Sequence, residues 1–315
     1  MNIFQEIREM LLGLNDLPIY IAGHIKPDQD SVCSCLALAQ WLNKNNKNAK
    51  VLLSVNDYSI INWQGHSNLI VDKVCEEKYN FIALDVNEMK RLGAYYDDFK
   101  KALKTINIDH HQGNDYEADY VYSNGKFSST CEIIYKIIKP RKRDMYDVSF
   151  YELLYCGMMN DTNCFSRRLS KETLAIAQKF INRGVDYSKI IKQTFSNRTF
   201  YQYKAMAKMI NEMIFDDFHY VIVDKSQNEY CDLSHNEIVK QIAEDLRKID
   251  GIDLFVVLIQ ESNKIVGKVM TNKSENANKI AEVLGGGGHK KEAGFTIENI
   301  SATEIINRIK NYIKK

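Results

Sequence analysis

The sequence predicts an α/β protein with a parallel-sheet amino-terminal domain, a helical connector and a smaller α/β carboxy-terminal domain. Three observations lead to this fold class. Short apolar runs alternate with helical patterns in the first half, a mostly helical region follows, and apolar runs then return. The length of 315 residues, with 45% hydrophobic and 26% charged residues, is typical of a globular protein of about two domains.

The first half carries four short apolar runs that predict buried strands, because each is bounded by polar residues or glycine. The stretch between the first two runs, residues 31–43, has the apolar spacing of a helix. Strands that alternate with helices indicate a parallel sheet. The predicted strands are 18–23, 50–55, 80–85 and 105–109.

From about residue 128 the apolar residues recur at spacings of three and four, which predicts helices. Because no Pro-, Gly- or Ser-rich linker is present, the last of these helices is predicted to connect the two domains. The predicted helices are 128–138, 150–159, 171–182 and 197–214. The predicted domains are 1–195 and 215–315, with residues 196–214 as the connector.

The carboxy-terminal part returns to a mixed pattern of apolar runs and helical stretches. We therefore expect a second, smaller α/β domain after residue 215. Its predicted strands are 218–223, 253–260 and 264–270, and its predicted helices lie near 234–248, 276–284 and 301–313.

Charge and cysteine usage exclude several classes of protein. The 42 basic residues balance 41 acidic ones, so the chain lacks the basic excess of a protein that coats long nucleic acid or an anionic membrane. No apolar run approaches the ~18 residues of a membrane span, and the amino terminus lacks a signal-peptide pattern. Seven scattered cysteines without a C-x-x-C pair predict reduced thiols in the cytoplasm.

Residues that commonly bind metals follow three of the four predicted strands. In an α/β sheet, ligands bind at the carboxyl ends of the strands. Imidazoles and carboxylates there suit divalent ions, although an aspartate in the first loop would also serve as a helix cap near Ser31. The residues are His24, Asp28 and Asp30 after the first strand, Asp85 at the end of the third, and Asp109, His110 and His111 after the fourth.

A further aspartate, Asp161, follows the predicted helix 150–159. Taken alone it would be a turn or cap residue. Together with the strand-end residues it completes a set large enough for two neighbouring divalent ions. The nearby Cys164 suggests cysteine chemistry, but no base pairs with it and a two-metal site needs no thiol.

Residues 284–294, with the sequence LGGGGHKKEAG, have the composition of a phosphate-binding loop. Glycines let backbone amides approach a phosphate closely, and His289, Lys290 and Lys291 add donors. The segment is not a Walker loop, which disfavours NTP hydrolysis of that class. Taken alone, a flexible loop is an equally simple interpretation.

These motifs, in this order, resemble the DHH phosphoesterase family with its DHH-associated carboxy-terminal domain, and the resemblance covers nearly the whole chain. The combination is specific because six separate motifs agree. They are GHIKPDQDS at 23–31, LD at 84–85, DHH at 109–111, SSTCE at 128–132, NDT at 160–162 and GGGGHKKEAG at 285–294.

The resemblance implies a catalytic amino-terminal domain with two Mn²⁺ ions, for which Mg²⁺ or Co²⁺ would be alternatives. One ion would be held by His24, Asp28 and Asp85, and the other by Asp30, Asp85, His110 and Asp161, with Asp85 shared. Asp109 would orient an imidazole, and His111 would face the substrate phosphate. The implied catalytic residues are Asp85, Asp109, His110 and His111, and the implied substrate-binding residues are His111, Arg167, Gly286, Gly287, Gly288, His289 and Lys290.

The two-domain arrangement resembles the nanoRNase type within this family, which implies short oligoribonucleotides or dinucleotides as substrates. Three alternatives remain open: a phosphomonoesterase acting on 3′-phosphoadenosine 5′-phosphate (pAp), a nucleotide-binding regulator without catalysis, and an inorganic pyrophosphatase. A homodimer is compatible with this interpretation.

The chain departs from the family pattern at one position. The family often has S-x-R-S where residues 269–272 read VMTN, so Thr271 replaces an arginine that would grip a substrate phosphate. Lys268 or Lys273 would partly replace its charge.

Overall fold

The chain divides into two compact units, Met1–Ser196 and Asn197–Lys315, and each is described by itself. The structure, a computed structural model, describes residues 2–25, 27–53, 66–111, 117–140, 146–194, 200–224, 246, 249–261, 263–272 and 276–314.

The first unit is built on a six-stranded sheet in which every described pair of neighbours is parallel. The strands are β1 (Ile19–Ala22), β2 (Ala49–Leu52), β3 (Ile70–Val71), β4 (Asn80–Leu84), β5 (Lys104–Asp109) and β6 (Tyr120–Ser123). Their order is β3-β2-β1-β4-β5-β6, so the direction of winding reverses between β1 and β4. Such a reversal opens a crevice at the carboxyl ends of the two strands.

Helices cover the sheet, and two apolar clusters form its core. The helices are α1 (Ile3–Leu12), α2 (Gln29–Lys44), α3 (Tyr96–Lys101), α4 (Thr130–Ile138), α5 (Val148–Asp161), α6 (Lys171–Ile181) and α7 (Tyr187–Thr194), with 3₁₀ turns at Ser67–Leu69 and Met89–Tyr95. The larger cluster contains Leu36 and Trp41 of α2, and the smaller one contains Phe81 of β4 and Phe99 of α3. Burial of these side chains stabilises the unit.

The second unit has a mixed six-stranded sheet in the order β11-β12-β10-β9-β8-β7, in which β8 and β9 are parallel. The strands are β7 (Ile214–Phe215), β8 (His219–Asp224), β9 (Leu254–Gln260), β10 (Lys264–Thr271), β11 (Gly287–His289) and β12 (Glu292–Glu298). The helices are α8 (Phe200–Asn211), α9 (Ala277–Glu282) and α10 (Ala302–Ile313). Apolar clusters lie around Val256 and Ile305 and around Phe255 and Met209.

The predicted fold class is confirmed: a parallel sheet forms the first unit, and a second α/β unit follows. The predicted strands of the first half correspond to β1, β2, β4 and β5. The short strands β3 and β6 were not predicted, because β3 has two residues and every residue of β6 is only partly buried. The helix predicted near 234–248 falls outside the described residues, except for Leu246.

Residues 284–294 were predicted to form a glycine-rich loop, and this prediction was wrong because part of the segment forms a β-hairpin. Gly287–His289 form strand β11, which pairs with β12 in a hairpin. The structural reason is local: Gly288 has a φ of +153°, and a Cβ on it would lie 2.6 Å from Ala293 Cα. Glycine therefore permits the close approach of the two strands.

Among the residues that the structure describes, no helix combines the length and apolar character needed to cross a bilayer. The six cysteines within the described residues form no disulfide bond.

Candidate metal centre

The residues predicted to bind metals come together at the carboxyl edge of the first sheet, beside the crevice between β1 and β4. Their ligand atoms form three groups, each with all atoms within 4.8 Å of one another. The groups are His24, Asp28 and Asp85; Asp30, His110 and Asp161; and Asp85, Asp109, His110 and His111. Two residues, Asp85 and His110, each belong to two groups, so the groups form one connected cluster.

The loop after β1 presents Asp28 at the start of α2. Asp28 Oδ1 accepts hydrogen bonds from the backbone amides of Asp30 and Ser31, both at 3.1 Å. The capping role considered from the sequence is therefore present, and the same carboxylate also lies in the group with His24. A cap at this position helps α2 begin where its first turn can carry Asp30.

Asp30 is fully buried and held by the first turn of α4. The Thr130 amide donates to Asp30 Oδ2 at 2.6 Å, and the Cys131 amide donates to Oδ1 at 2.9 Å. Helix α5 approaches closely here because residue 157 is glycine: a Cβ would lie 2.3 Å from Cys131 Sγ and 2.8 Å from Asp30 Oδ1. The orientation of Asp30 thus depends on α4 and α5 as well as on its own helix.

Asp85 follows β4 in a left-handed conformation, with a φ of +61°. Such a φ is uncommon for a residue other than glycine and is often found at functional sites. Its amide donates to the Ile108 carbonyl at 3.1 Å, and the Thr130 hydroxyl donates to Asp85 Oδ1 at 3.1 Å. These contacts direct the carboxylate between three imidazoles. The distances are 3.6 Å from Oδ2 to His24 Nε2, 3.5 Å from Oδ1 to His110 Nε2 and 3.6 Å from Oδ1 to His111 Nδ1.

The two histidines after β5 have different partners. His111 donates to Asp109 Oδ1 from Nδ1 at 2.8 Å and from its backbone amide at 3.1 Å. His110 Nε2 lies 2.9 Å from Asp161 Oδ2. Asp109 therefore orients His111. Asp161 is the last residue of α5, whereas the sequence placed it just after that helix.

Burial of so many carboxylates changes their protonation. Burial, reinforced by the charge of Asp161, raises the pKa of Asp30 to about 7. Burial also raises the pKa of Asp85 well above its ordinary value, and the charge of Asp30 adds to this. For His110, burial opposes the charged form, but the nearby Asp161 and Asp30 raise its pKa to about 9. The cluster therefore favours extra positive charge, in the form of protons or cations.

The donor set suits divalent ions. His24 Nδ1 lies 2.8 Å from the Ile25 carbonyl, and because a carbonyl only accepts, this nitrogen carries the proton. The lone pair of Nε2 then faces Asp85. His110 Nε2 is buried and, within the described part of the chain, makes no well-directed hydrogen bond. Imidazole nitrogens and carboxylate oxygens in this number match ions such as Mn²⁺, Mg²⁺ or Co²⁺.

Of the predicted substrate-binding residues, His111 belongs to this cluster, and the others are described here by the unit to which they belong. Arg167 follows α5, and its side chain is exposed. Burial alone would raise the pKa of Asp161, but this pKa lies below its ordinary value, and the charge of Arg168, the neighbour of Arg167, helps to lower it. Gly286, Gly287, Gly288, His289 and Lys290 belong to the second unit. There the Gly288 amide donates to Asn278 Oδ1 at 2.7 Å, which anchors β11 to α9.

Thr271, at the position where the family often has arginine, has a structural role in the second unit. Its side chain is buried, and its amide donates to the Lys291 carbonyl at 3.1 Å. It therefore holds the turn between β11 and β12 against β10. Of the lysines considered as replacements, Lys268 forms an ion pair with Glu292 at 2.6 Å, and Lys273 lies outside the described residues.

The SSTCE motif was recognisable in the sequence, but no role was predicted for its residues. Buried Glu132 accepts from the Ser128 amide at 3.1 Å, from the Ser128 hydroxyl at 2.6 Å and from the Thr173 hydroxyl at 2.9 Å. Ser129 caps α4. Together these contacts fix the turn whose amides hold Asp30. The Ser-x-x-Glu spacing of a capping box was the available signal, whereas nothing in the sequence pointed to Gly157.

Comparison with known families agrees with the geometry. Residues 18–158 match the DHH family, N-terminal domain, and residues 224–315 match the DHHA1 domain. Together the two matches cover most of the chain, in the order that the motifs predict. The chain belongs to the DHH family of phosphoesterases, which confirms the predicted family and, at the level of the family, the prediction of a hydrolase.

Two curated relatives illustrate the range of the family. The probable bifunctional oligoribonuclease and PAP phosphatase NrnA of Streptococcus mutans is 25% identical, over 94% of this chain and 95% of that protein. The cyclic-di-AMP phosphodiesterase GdpP of Bacillus subtilis is also 25% identical over 94% of this chain, which spans only 47% of its length. Other relatives are also longer, and this chain covers 24% of two of them.

Solved structures share the fold. An exopolyphosphatase-related protein from Bacteroides fragilis has a TM-score of 0.86 at 19% identity, over 99% of this chain and 95% of that one. The exonuclease RecJ bound to manganese has a TM-score of 0.62 at 11% identity, over 100% of this chain and 95% of that one.

Proposed function

We propose that this chain is a phosphoesterase dependent on two divalent ions, Mn²⁺ foremost, that hydrolyses short oligoribonucleotides or dinucleotides to mononucleotides. The observation that carries the proposal is the sharing of Asp85 between a group with His24 and Asp28 and a group with His110 and His111. A single carboxylate that faces both groups is what a pair of neighbouring ions requires.

In this proposal, His24, Asp28 and Asp85 hold one ion, and Asp30, Asp85, His110 and Asp161 hold the other. Bound divalent ions supply a water of lowered pKa and neutralise charge that develops on a phosphate. The buried position and raised pKa of Asp30 support this assignment, because a cation would offset the cost of ionising carboxylates so close together.

The residues around the metal ligands orient neighbouring side chains and donate hydrogen bonds to the substrate. His111 keeps 27% of its side chain exposed while Asp109 fixes its ring through Nδ1. Because Asp109 already accepts the Nδ1 proton, Nε2 donates to a substrate phosphate when the imidazole carries both protons. A donor held in place before the substrate arrives stabilises developing negative charge without reorganisation. Burial raises the pKa of the nearby Cys131 thiol well above its ordinary value, so this thiol does not compete as a nucleophile.

The choice of substrate rests on the relatives. The NrnA relative matches this chain over nearly its whole length and is named for oligoribonuclease and PAP phosphatase activity. A pAp phosphatase is therefore the second candidate for this chain. Cyclic-di-AMP hydrolysis is a further substrate to test, because a cyclic-di-AMP phosphodiesterase is among the relatives.

A substrate panel with Mn²⁺ tests the proposal. Purified protein should convert pApA and RNA of two to five nucleotides to mononucleotides faster than RNA of about 20 nucleotides. Phosphate release from pAp and opening of cyclic-di-AMP are measured in parallel. Asp85→Asn should reduce each activity at least a thousandfold, and Asp97→Asn, on the exposed surface of α3, should not. Full activity of the Asp85 variant would overturn the proposal.

A further inference from the structure

A pocket opens beside the candidate metal centre, on the side of β1 that faces β2. Its walls come from three segments: residues Gly23, His24, Ile25 and Pro27 after β1, the end of β2 with Leu52 and Leu53, and the 3₁₀ turn with Leu92, Ala94 and Tyr95. The cavity has a volume of about 150 Å³. It lies within the first unit, and none of the residues named here belongs to the predicted substrate-binding set.

The walls of this pocket are held in place. The Ile25 amide donates to the Arg91 carbonyl at 2.7 Å, which ties the loop after β1 to the 3₁₀ turn. Gly93 has a φ of +60°, and a Cβ on it would lie 2.1 Å from Ile25 Cγ2, so glycine is needed where the two segments cross. The position of the backbone therefore shapes this pocket, and the conformations of long side chains do not.

The chemistry of the walls favours a mostly apolar group. Val51, Leu52, Leu53 and Leu92 are buried aliphatic residues, and Tyr95 adds an aromatic ring. At the inner side, the Ser31 hydroxyl is buried and lacks a hydrogen-bond partner among the residues that the structure describes. Buried polar atoms are usually satisfied, so an unpaired hydroxyl in an apolar wall points to a ligand with a polar edge.

Size and position restrict the occupant further. An apolar cavity of about 150 Å³ can accept a benzene-sized ring, so the volume of this pocket is of the order needed for a single ring system. His24 forms part of its wall and also belongs to the group with Asp28 and Asp85. A group in the pocket would therefore sit next to a phosphate held at that group.

We infer that this pocket is a nucleobase subsite, which receives the base of one nucleotide adjacent to the scissile phosphate. The inference rests on the proposed function for its link to catalysis. The apolar walls contact the faces of the base, and the Ser31 hydroxyl is placed to pair with a polar atom on its edge. A protein with such a subsite discriminates between substrates with and without a base.

Ala94→Trp tests the subsite, because Ala94 is exposed at the pocket and a large side chain there fills it. Leu103→Trp is the matched control: Leu103 is 58% exposed and precedes β5, at the opposite edge of the sheet. Both variants, with normal melting temperatures and Mn²⁺ affinities, are compared with the wild type on pApA and on an analogue in which hydrogen replaces both bases. The preference for pApA, as a ratio of kcat/KM values, should fall about tenfold in Ala94→Trp only.

A binding measurement separates this inference from the proposed function. Saturation-transfer NMR detects adenosine, with ribose as the control ligand, on the metal-free proteins. Wild type and Leu103→Trp should bind adenosine, and Ala94→Trp should not. If no variant hydrolyses any substrate but this binding pattern holds, the proposed function fails and the subsite stands. Equal adenosine binding by all three proteins, or an unchanged preference for pApA, overturns the subsite.

Discussion

At the scale of single residues, the candidate centre depends on side chains that hold its carboxylates. Thr130 contacts two of them at once, through its amide to Asp30 and its hydroxyl to Asp85. Asp109 in turn holds the imidazole ring of His111. Partners of this kind fix the direction of a ligand atom before a metal arrives, and their loss commonly lowers metal affinity about 10- to 100-fold.

Thr130→Val is expected to weaken Mn²⁺ binding about tenfold, because it replaces the hydroxyl that donates to Asp85 with a methyl group of similar size. Thr130→Ser keeps the hydroxyl and should bind Mn²⁺ nearly as the wild type does. Isothermal titration calorimetry measures both affinities. Equal affinities of the valine and serine variants would show that this hydrogen bond does not orient Asp85.

The metal-free protein is expected to lose stability as the pH rises. Folding raises the pKa of Asp30 from 3.8 to about 7 and that of His110 from 6.5 to about 9. The folded state therefore binds more protons than the unfolded state across both intervals, so each contribution to stability is lost as the pH rises through the folded value. The melting temperature in EDTA should fall between about pH 4 and about pH 9.

Saturating Mn²⁺ should abolish this fall, because cations replace the protons in the folded state. Differential scanning fluorimetry with and without Mn²⁺ measures both trends. Asp30→Asn supplies the control, since it removes one of the groups whose pKa rises on folding and should flatten the metal-free profile. A metal-free melting temperature that increases with pH would contradict the charge balance described for the cluster.

At the scale of elements, the close packing of α2, α4 and α5 places the ligands. The carboxylate of Asp30 on α2 lies at the point where the amino-terminal turn of α4 and Gly157 of α5 approach it. Strand ends alone would bring Asp85 and the two histidines together. The group that contains His110 also needs Asp30 and Asp161, and helices α2 and α5 carry these two residues.

Gly157→Ala is expected to push α5 away from α2, because the new Cβ would meet Cys131 Sγ and Asp30. Overpacking of this kind costs about 1–3 kcal/mol of stability, and the displaced Asp30 should lower Mn²⁺ affinity as well. Gly13→Ala, at the end of α1, is the control, since its Cβ would meet only backbone carbonyls of its own helix. Chemical denaturation and calorimetry measure the two effects, and an unchanged Mn²⁺ affinity would refute the role of this contact.

At the scale of the whole molecule, the metal-type ligands and the glycine-rich hairpin belong to different units. We therefore expect metal binding and substrate turnover to be separable by mutation. The proposed substrate contacts of Gly286, Gly287, Gly288, His289 and Lys290 would then act on the affinity for substrate, while the first unit alone determines how many ions are bound.

Gly288→Ala is expected to retain two Mn²⁺ ions per chain and to lose at least tenfold in kcat/KM, because its Cβ would collide with Ala293 and distort the hairpin. Gly251→Ala is a matched control: Gly251 also has a positive φ, of +90°, but no atom lies within 4 Å of the added Cβ. Elemental analysis counts the ions, and turnover of pApA reports activity. Loss of Mn²⁺ from the Gly288 variant alone would contradict the separation.

Much of the fold could be predicted because its signals are local. Buried parallel strands are short apolar runs; β4 and β5 end directly before or at an aspartate, and β1 ends directly before Gly23. The edge strand β3 escaped detection because it has only two residues, and β6 because partial burial imposes no apolar pattern on it. The hairpin at 287–298 escaped because its glycines permit many conformations, and only pairing with β10 selects one.

The sequence by itself determined the family, the α/β class and the residues that carry metal-type ligands, because each depends on residue type and order along the chain. Their role as metal ligands stays a prediction. Only the tertiary structure decided how those residues are grouped, that Asp109 orients His111, and that Thr130, Glu132 and Gly157 support Asp30 and Asp85. It also formed the pocket beside His24. These features arise from contacts between segments distant in the chain, and no local pattern of residues encodes which segments will meet.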